Sequence, residues 1–311
     1  MGTYAYCDRF GRNTLVNAEG NLGKRFVESL LASTEPTFQV TVLDRPNSSY
    51  DAPKGAEVKV VQRDLTDQTA LTEDLRGIDA LIMMHTTNKE FLTISNAAIG
   101  AAIAAGVKMV MPSDFGSKDT TFFVKASTAK PLVRDLLQER ANEGKITYTI
   151  VKNGPFFENP SKDAYGIDYR AKTATLYDDG TQKFNCTTFA SIISAVIGIL
   201  RSPAPYTNKT VYIHDFYTSQ REMLAIIESE VNPDGSKFET TSIDTLELGK
   251  KSLEAWQRDN QDIQNFLGVI KSAVWGPNGA ADWDENDDSQ ALGLEKKDLR
   301  TELKRKMEMG L

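Results

Sequence analysis

The most suggestive side chains in this sequence are a lysine held before a proline and three loops that collect small, polar and aromatic residues. Lys130 stands in Ser127-Thr-Ala-Lys-Pro-Leu-Val-Arg134. Pro131 suits the first turn of a helix, and the residue before a proline is pushed toward extended backbone. That places Lys130 at the mouth of a cleft, where a partly buried amine can pass a proton to or from a bound oxygen. A solvated lysine fits the same residues equally well. Arg134, one turn on, reads as a helix-surface charge. Asp114, in Pro112-Ser113-Asp114-Phe115-Gly116, and Glu158, in Asn153-Gly154-Pro155-Phe156-Phe157-Glu158, are the carboxylates available for acid–base work. Phe115, Phe156, Phe157 and the distant Trp275 are expected to wall a pocket. Tyr148 and Lys152, four apart, spell an acid–base pair that works on a helix, where residues one turn apart meet. Here TYTIVK is β-branched and reads as a strand, on which the two side chains stand about 13 Å apart. The pair is therefore rejected.

A second constellation binds rather than reacts. Asn17-Ala-Glu-Gly20-Asn21-Leu22-Gly23 follows a short β-branched run and opens a helical pattern. In that setting Gly20 lets backbone approach a pyrophosphate, Gly23 lets helix and strand pack closely, and the helix N-terminus supplies amide donors. Asn17 occupies the position of the first glycine; asparagine tolerates left-handed backbone better than most residues. After the next strand comes Asp44-Arg45. An aspartate there accepts from a ribose 2′-hydroxyl and favours NAD, whereas an arginine there pairs with a 2′-phosphate and favours NADP. Both are present. Asp64-Leu65 follows the third strand, where a carboxylate meets adenine or simply caps a helix. His85-Thr86-Thr87 follows the fourth, near the ribose and nicotinamide, and His85 reads equally as structural. Ser113, Lys130 and Asn153 to Phe156 complete the set expected to touch the cofactor.

The elements that position these loops alternate. Strand-like runs at 14–18, 39–43, 58–62, 80–84, 108–111 and 147–151 are separated by helical patterns at 24–32, 93–105 and 131–142. Such alternation predicts an α/β fold, a Rossmann-type doubly wound parallel sheet. Beyond Asn159 the pattern turns irregular, with strands at 173–177 and 210–213 and helices at 189–200, 220–230, 245–257 and 295–307. The expected organisation is a dinucleotide-binding domain over 1–155 and a smaller α+β substrate lobe over 156–311, with some segments returning to the first sheet. Residues 276–289, rich in Gly, Asn and Asp, read as a loop, and 295–307 as a charged surface or lid helix.

Composition narrows the class. A net charge of −7 argues against nucleic-acid binding. No run approaches the ~20 apolar residues of a membrane span. The N-terminus lacks the apolar core of a secretory signal. Two cysteines, Cys7 and Cys186, far apart, indicate neither disulfide framework nor metal site. A cytoplasmic protein, monomeric or homodimeric, with a small-molecule partner is expected.

GNLG after the first strand, VTVLDRP, AAGVKMVMPSDFG, Lys130 with Arg134, ITYTIVKNGPFFEN and LYDDGTQKFNCTTFASIISAVIGIL together resemble the NmrA-like and isoflavone-reductase-like branch of atypical short-chain dehydrogenases, in the fungal manner. The resemblance spans nearly the whole chain. It implies a Rossmann fold with a small C-terminal lobe, NADP(H) as cofactor with Arg45 on the 2′-phosphate, and Lys130 as the acid–base residue. It departs at Asn17 and at Asp44, where a neutral residue is usual. The implied activity is NADPH-dependent reduction of a small aromatic or alkaloid-like secondary metabolite. The alternatives are a redox-neutral condensation, cyclisation or isomerisation with the dinucleotide as scaffold, and a non-enzymatic redox-sensing regulator.

Overall fold

A computed structural model describes residues 11–16, 18, 20–118, 125, 128–159, 165–232, 235–260, 262–277, 279–283 and 287–308. Two compact units interleave along the chain, one of residues 1–115, 129–151 and 193–211, the other of 116–128, 152–192 and 212–311.

The first unit is organised by a seven-stranded sheet. Its strands are β1 (Arg12–Val16), β2 (Gln39–Asp44), β3 (Val58–Gln62), β4 (Ala80–Met83), β5 (Met109–Met111), β6 (Thr147–Lys152) and β10 (Lys209–Tyr212), in the order β10-β6-β5-β4-β1-β2-β3. The pairs β1–β2, β1–β4, β2–β3, β4–β5 and β5–β6 are all parallel. This is the doubly wound order, with its reversal of direction between β1 and β4. Burial on both faces explains why β4 is the continuous apolar run ALIM. The crossovers are α1 (Asn21–Ala32), α2 (Gln68–Asp74), α3 (Phe91–Ala105) and α4 (Lys130–Asn142). Helix α3 ends on Gly106 at φ 79°, a left-handed position that glycine adopts without steric cost. Pro131 sits in the first turn of α4, as its spacing predicts.

The second unit contains a three-stranded sheet of β12 (Glu239–Ile243), β8 (Thr173–Tyr177) and β7 (Ile167–Asp168), and a β11–β9 pair (Phe216–Thr218 with Phe184–Cys186). Its helices include α6 (Gln220–Ile226), α7 (Thr245–Arg258), α8 (Ile263–Trp275) and α9 (Leu299–Glu308); α5 (Phe189–Arg201) runs through both units. Helix α8 was not anticipated. Gly268 at its centre weakens a helical reading, yet a Cβ there would lie 2.1 Å from Ser252 Oγ on α7, so glycine is what lets the two helices touch. The core is aromatic: Tyr165 stacks on Phe184, Tyr177 stacks on Trp275, and Trp275 meets Phe184 edge-on. Cys186 is a free thiol sealed in this core, and burial pushes its pKa up.

Helix α9 is charged, but it is not the fully solvated surface helix its composition suggests. Leu303 is buried, and Lys306 is only 3% exposed. Lys306 Nζ donates to Phe157 O at 3.0 Å and lies over the rings of Phe157 and Tyr165. Burial lowers its pKa from 10.5 to about 8, against smaller opposing effects of Cys186 and Glu158. Because the folded-state pKa is depressed, the unfolded chain holds more protons between about pH 8 and 10.5, and stability rises with pH there. Replacing Lys306→Met should flatten that rise, a difference on the order of 3 kcal/mol across the window. Urea unfolding of both proteins at pH 7.5 and pH 10 checks this; equal pH slopes would show the amine is solvated.

Candidate active site at the C-terminal edge of the parallel sheet

Every loop that the sequence singles out in the first unit leaves the C-terminal end of a parallel strand. After β1, Gly20 caps α1 with extended backbone, and its Cβ position meets nothing within 4 Å. A Cβ on Gly23 would lie 2.7 Å from the Ala18 backbone, so helix and strand approach as closely as glycine permits. No described side chain caps α1, and its first turn carries no acidic residue. Asn21 is exposed and Leu22 half-buried. The open approach at Gly20 and the uncapped amides fit a dinucleotide pyrophosphate, for which these residues would be the cradle. Asn17 lies outside the described residues.

After β2, Asp44 is fully buried and Arg45 exposed. The Asp44 carboxylate accepts from Arg45 N at 2.9 Å and from Ser48 Oγ at 2.8 Å. After β3, exposed Asp64 accepts from Thr66 N and Thr66 Oγ1, which lower its pKa; Leu65 is buried. The helix cap that Asp64 was alternatively expected to form belongs to Asp67, which accepts from Ala70 N.

After β4, the His85 ring is buried at 5% exposure. Its Nε2 lies 3.1 Å from Ser95 Oγ and 3.3 Å from Phe91 O, both on α3, and its Nδ1 has no hydrogen-bond partner among the described residues. Burial, reinforced by the nearby Lys130 cation, lowers its pKa to about 4. The imidazole is therefore neutral at physiological pH. Thr86 is exposed and Thr87 half-buried. Ser113 Oγ, after β5, donates to His85 O at 2.7 Å and ties the two strand ends together.

Asp114, next along, is buried and gathers two cations from α4. Arg134 Nη1 lies 2.6 Å from Oδ2, and Lys130 Nζ lies 3.9 Å from Oδ1. Lys130 Nζ also donates to Phe115 O at 3.3 Å. The two cationic side chains are 19% and 21% exposed. Among the described residues, Asp114 thus faces two cations, beside a neutral imidazole. Arg134, expected as a surface charge, is an ion-pair partner instead, because α4 starts directly over Asp114. Such an edge can favour negative charge developing on a nearby oxygen.

The remaining expected site residues belong to the second unit. Asn153 and Gly154 follow β6, and their amides donate to Gly116 O at 3.1 Å each. Gly154 has φ 64°, and a Cβ there would strike Asn185 O at 2.0 Å. Pro155 and Phe156 are half-buried, with Phe156 against Phe189. Glu158 accepts from Phe189 N at 2.9 Å, at the start of α5, and lies 3.6 Å from Arg305 Nη2. Phe157 and Trp275, expected as pocket walls, are core residues: large rings bury most area where they pack on one another. Tyr148 and Lys152 lie on strand β6, in agreement with rejection of the helical pair. Ser95 went unnoticed; a lone hydroxyl on the buried face of an apolar helix was the signal. Among the described residues no group of three His, Cys, Asp or Glu could hold a metal ion, and no helix is long and apolar enough to cross a membrane.

A family model of NAD(P)H-binding proteins matches residues 18–180. The chain belongs to this NAD(P)H-binding family. Oxidoreductase poxI of Penicillium oxalicum is 26% identical to this NAD(P)H-binding protein over 294 residues, covering 91% of the chain and 90% of the relative. Oxidoreductase aprR of Aspergillus flavus is 26% identical over 245 residues, covering 77% and 80%. The NADPH complex of an NADPH-dependent quinone oxidoreductase from Escherichia coli has the same fold, with a TM-score of 0.71 at 18% identity over 94% of this chain and 99% of that one. These likenesses bear out the NAD(P)H-binding Rossmann-type reading, and the two fungal relatives, both named oxidoreductases, fit an oxidoreductase-like enzyme.

Two outcomes follow from this geometry. Substituting Gly23→Ala should cost about 1–3 kcal/mol, since backbone must shift to admit the methyl group; chemical denaturation measures it. The His85 ring protons should show no NMR titration between pH 5.5 and 8, and a midpoint near 6.5 would contradict the buried, neutral imidazole.

Proposed function

We propose that the protein is an NADPH-dependent reductase of a small aromatic or alkaloid-like metabolite, in which Lys130 donates the proton. The observation that carries this is the pairing of Lys130 and Arg134 with one buried carboxylate at the strand ends beside neutral His85. When bound, the reduced nicotinamide supplies a hydride equivalent to an electrophilic carbon of the substrate. Asp114 orients α4's two cations. Lys130, whose Nζ donates to Phe115 O, is the amine at this rim that would meet a substrate oxygen and protonate it as negative charge develops. The half-buried Phe115 ring offers an apolar surface to an aromatic partner. Fungal relatives named as oxidoreductases, and a structural neighbour named as a quinone oxidoreductase, support this class. The redox-neutral alternative rests on the altered glycine turn at Asn17 and the divergence of the family the sequence resembles, the sensing alternative on that family's non-enzymatic members, and no geometry at Lys130 favours either.

NADPH consumption should be followed at its absorbance maximum with a panel of quinones, aromatic ketones and cyclic imines. Lys130→Ala should lower kcat/KM by about 10²–10⁴-fold on the best acceptor, while NADPH affinity changes less than tenfold. A variant with full turnover would remove the proton-donor assignment. Product accumulating at constant NADPH would replace reduction with redox-neutral chemistry.

A further inference from the structure

The side-by-side Asp44 and Arg45 pose a conflict that the turn following them resolves. An aspartate at the end of the second strand ordinarily selects NAD(H), by accepting from the ribose 2′-hydroxyl, and repels a 2′-phosphate. Doing so requires a carboxylate that a ligand can reach. The Asp44 side chain is 0% exposed. Its Oδ1 accepts from Arg45 N at 2.9 Å, and its Oδ2 accepts from Ser48 Oγ at 2.8 Å. The closure continues outward: Ser48 N donates to Arg45 O, and Ser48 Oγ accepts from Tyr50 N at 3.1 Å. Gln62 Nε2, at the end of β3, donates to Ser48 O at 3.3 Å. Each carboxylate oxygen is thus engaged by a donor of its own turn, the use aspartate has when it braces local backbone. Arg45 is exposed, and the next arginine, Arg63, makes a two-point pair with Asp74 at 2.7 and 3.2 Å.

We propose that Asp44 is a positioning residue for NADP(H) selectivity: its buried carboxylate braces the Arg45–Ser48 turn so that Arg45 meets the 2′-phosphate, and it reads no ribose hydroxyl itself. The inference rests on the cofactor reading above and adds a reversal of the usual meaning of an acidic residue at this strand end. Ser48 is part of the brace, because its hydroxyl supplies the donor to Oδ2.

The test is nucleotide binding to the free enzyme, without substrate. Dissociation constants for NADPH and NADH are measured by calorimetry on the intact protein and on Arg45→Ala, Ser48→Ala and Asp44→Asn, each checked for folding by circular dichroism. Wild type should prefer NADPH at least tenfold. Arg45→Ala should weaken NADPH at least tenfold and NADH less than twofold. Ser48→Ala and Asp44→Asn should each shrink the NADPH:NADH preference about three- to tenfold, through loss of NADPH affinity alone. If Asp44→Asn instead weakens NADH while sparing or improving NADPH, the carboxylate reads the ribose and the proposal fails. An unchanged preference in Ser48→Ala and Asp44→Asn overturns it equally. Should Asp44→Asn not fold, Ser48→Ala decides. A wild type that binds neither nucleotide fails the cofactor reading itself, a result distinct from the others.

Discussion

Parallel pairing sends every outgoing turn of the first unit's sheet to the same edge, and the chemistry of that unit depends on this constraint. Strands β1 to β5 pair in parallel from β3 to β5, so residues far apart in sequence, from Gly20 to Asp114, share one rim. The reversal between β1 and β4 opens a crevice there, because the crossovers on its two sides run in opposite directions. The glycine at position 23 sets how closely α1 can stand on that rim, and hence where its amide donors point.

Along the rim, charge is partitioned by burial. Buried Asp114 meets its cost through Arg134 and Lys130, and in return fixes two long, rotamer-rich side chains that would otherwise sample solvent. His85, equally buried but without a carboxylate partner, meets the same cost by giving up its proton. The two strategies produce neighbouring cationic and neutral groups from residues that all carry charge-bearing side chains in sequence. Asp44 follows a third course, in which short-range donors of its own turn engage both carboxyl oxygens.

Much of this was legible in the residues. The strand–helix alternation located the six principal strands to within two residues, and Pro131 and Gly106 marked a helix start and a helix stop as their backbone preferences dictate. The positions of Gly20, Asp44, His85, Ser113 and Lys130 at strand ends followed from that alternation alone. What could not be read was orientation. Whether Asp44 faces ligand or protein depends on a hydroxyl four residues away, and whether Arg134 is solvated depends on where α4 begins relative to β5. Helix α8 was hidden because Gly268 weakens local propensity while serving a tertiary contact. Trp275 and the charged helix α9 misled because a large ring looks functional, and a charged helix exposed, until neighbours such as Tyr165 and Tyr177 are known.

The sealed state of Cys186 bears on what an enzyme of this kind must survive. Conjugated, electron-poor organic molecules alkylate thiolates, and the rate of that damage follows both access and ionised fraction. Cys186 offers neither, being wrapped by aromatic neighbours and held in its protonated form. At this position the thiol is closed to alkylation by any electrophile that reaches the folded protein.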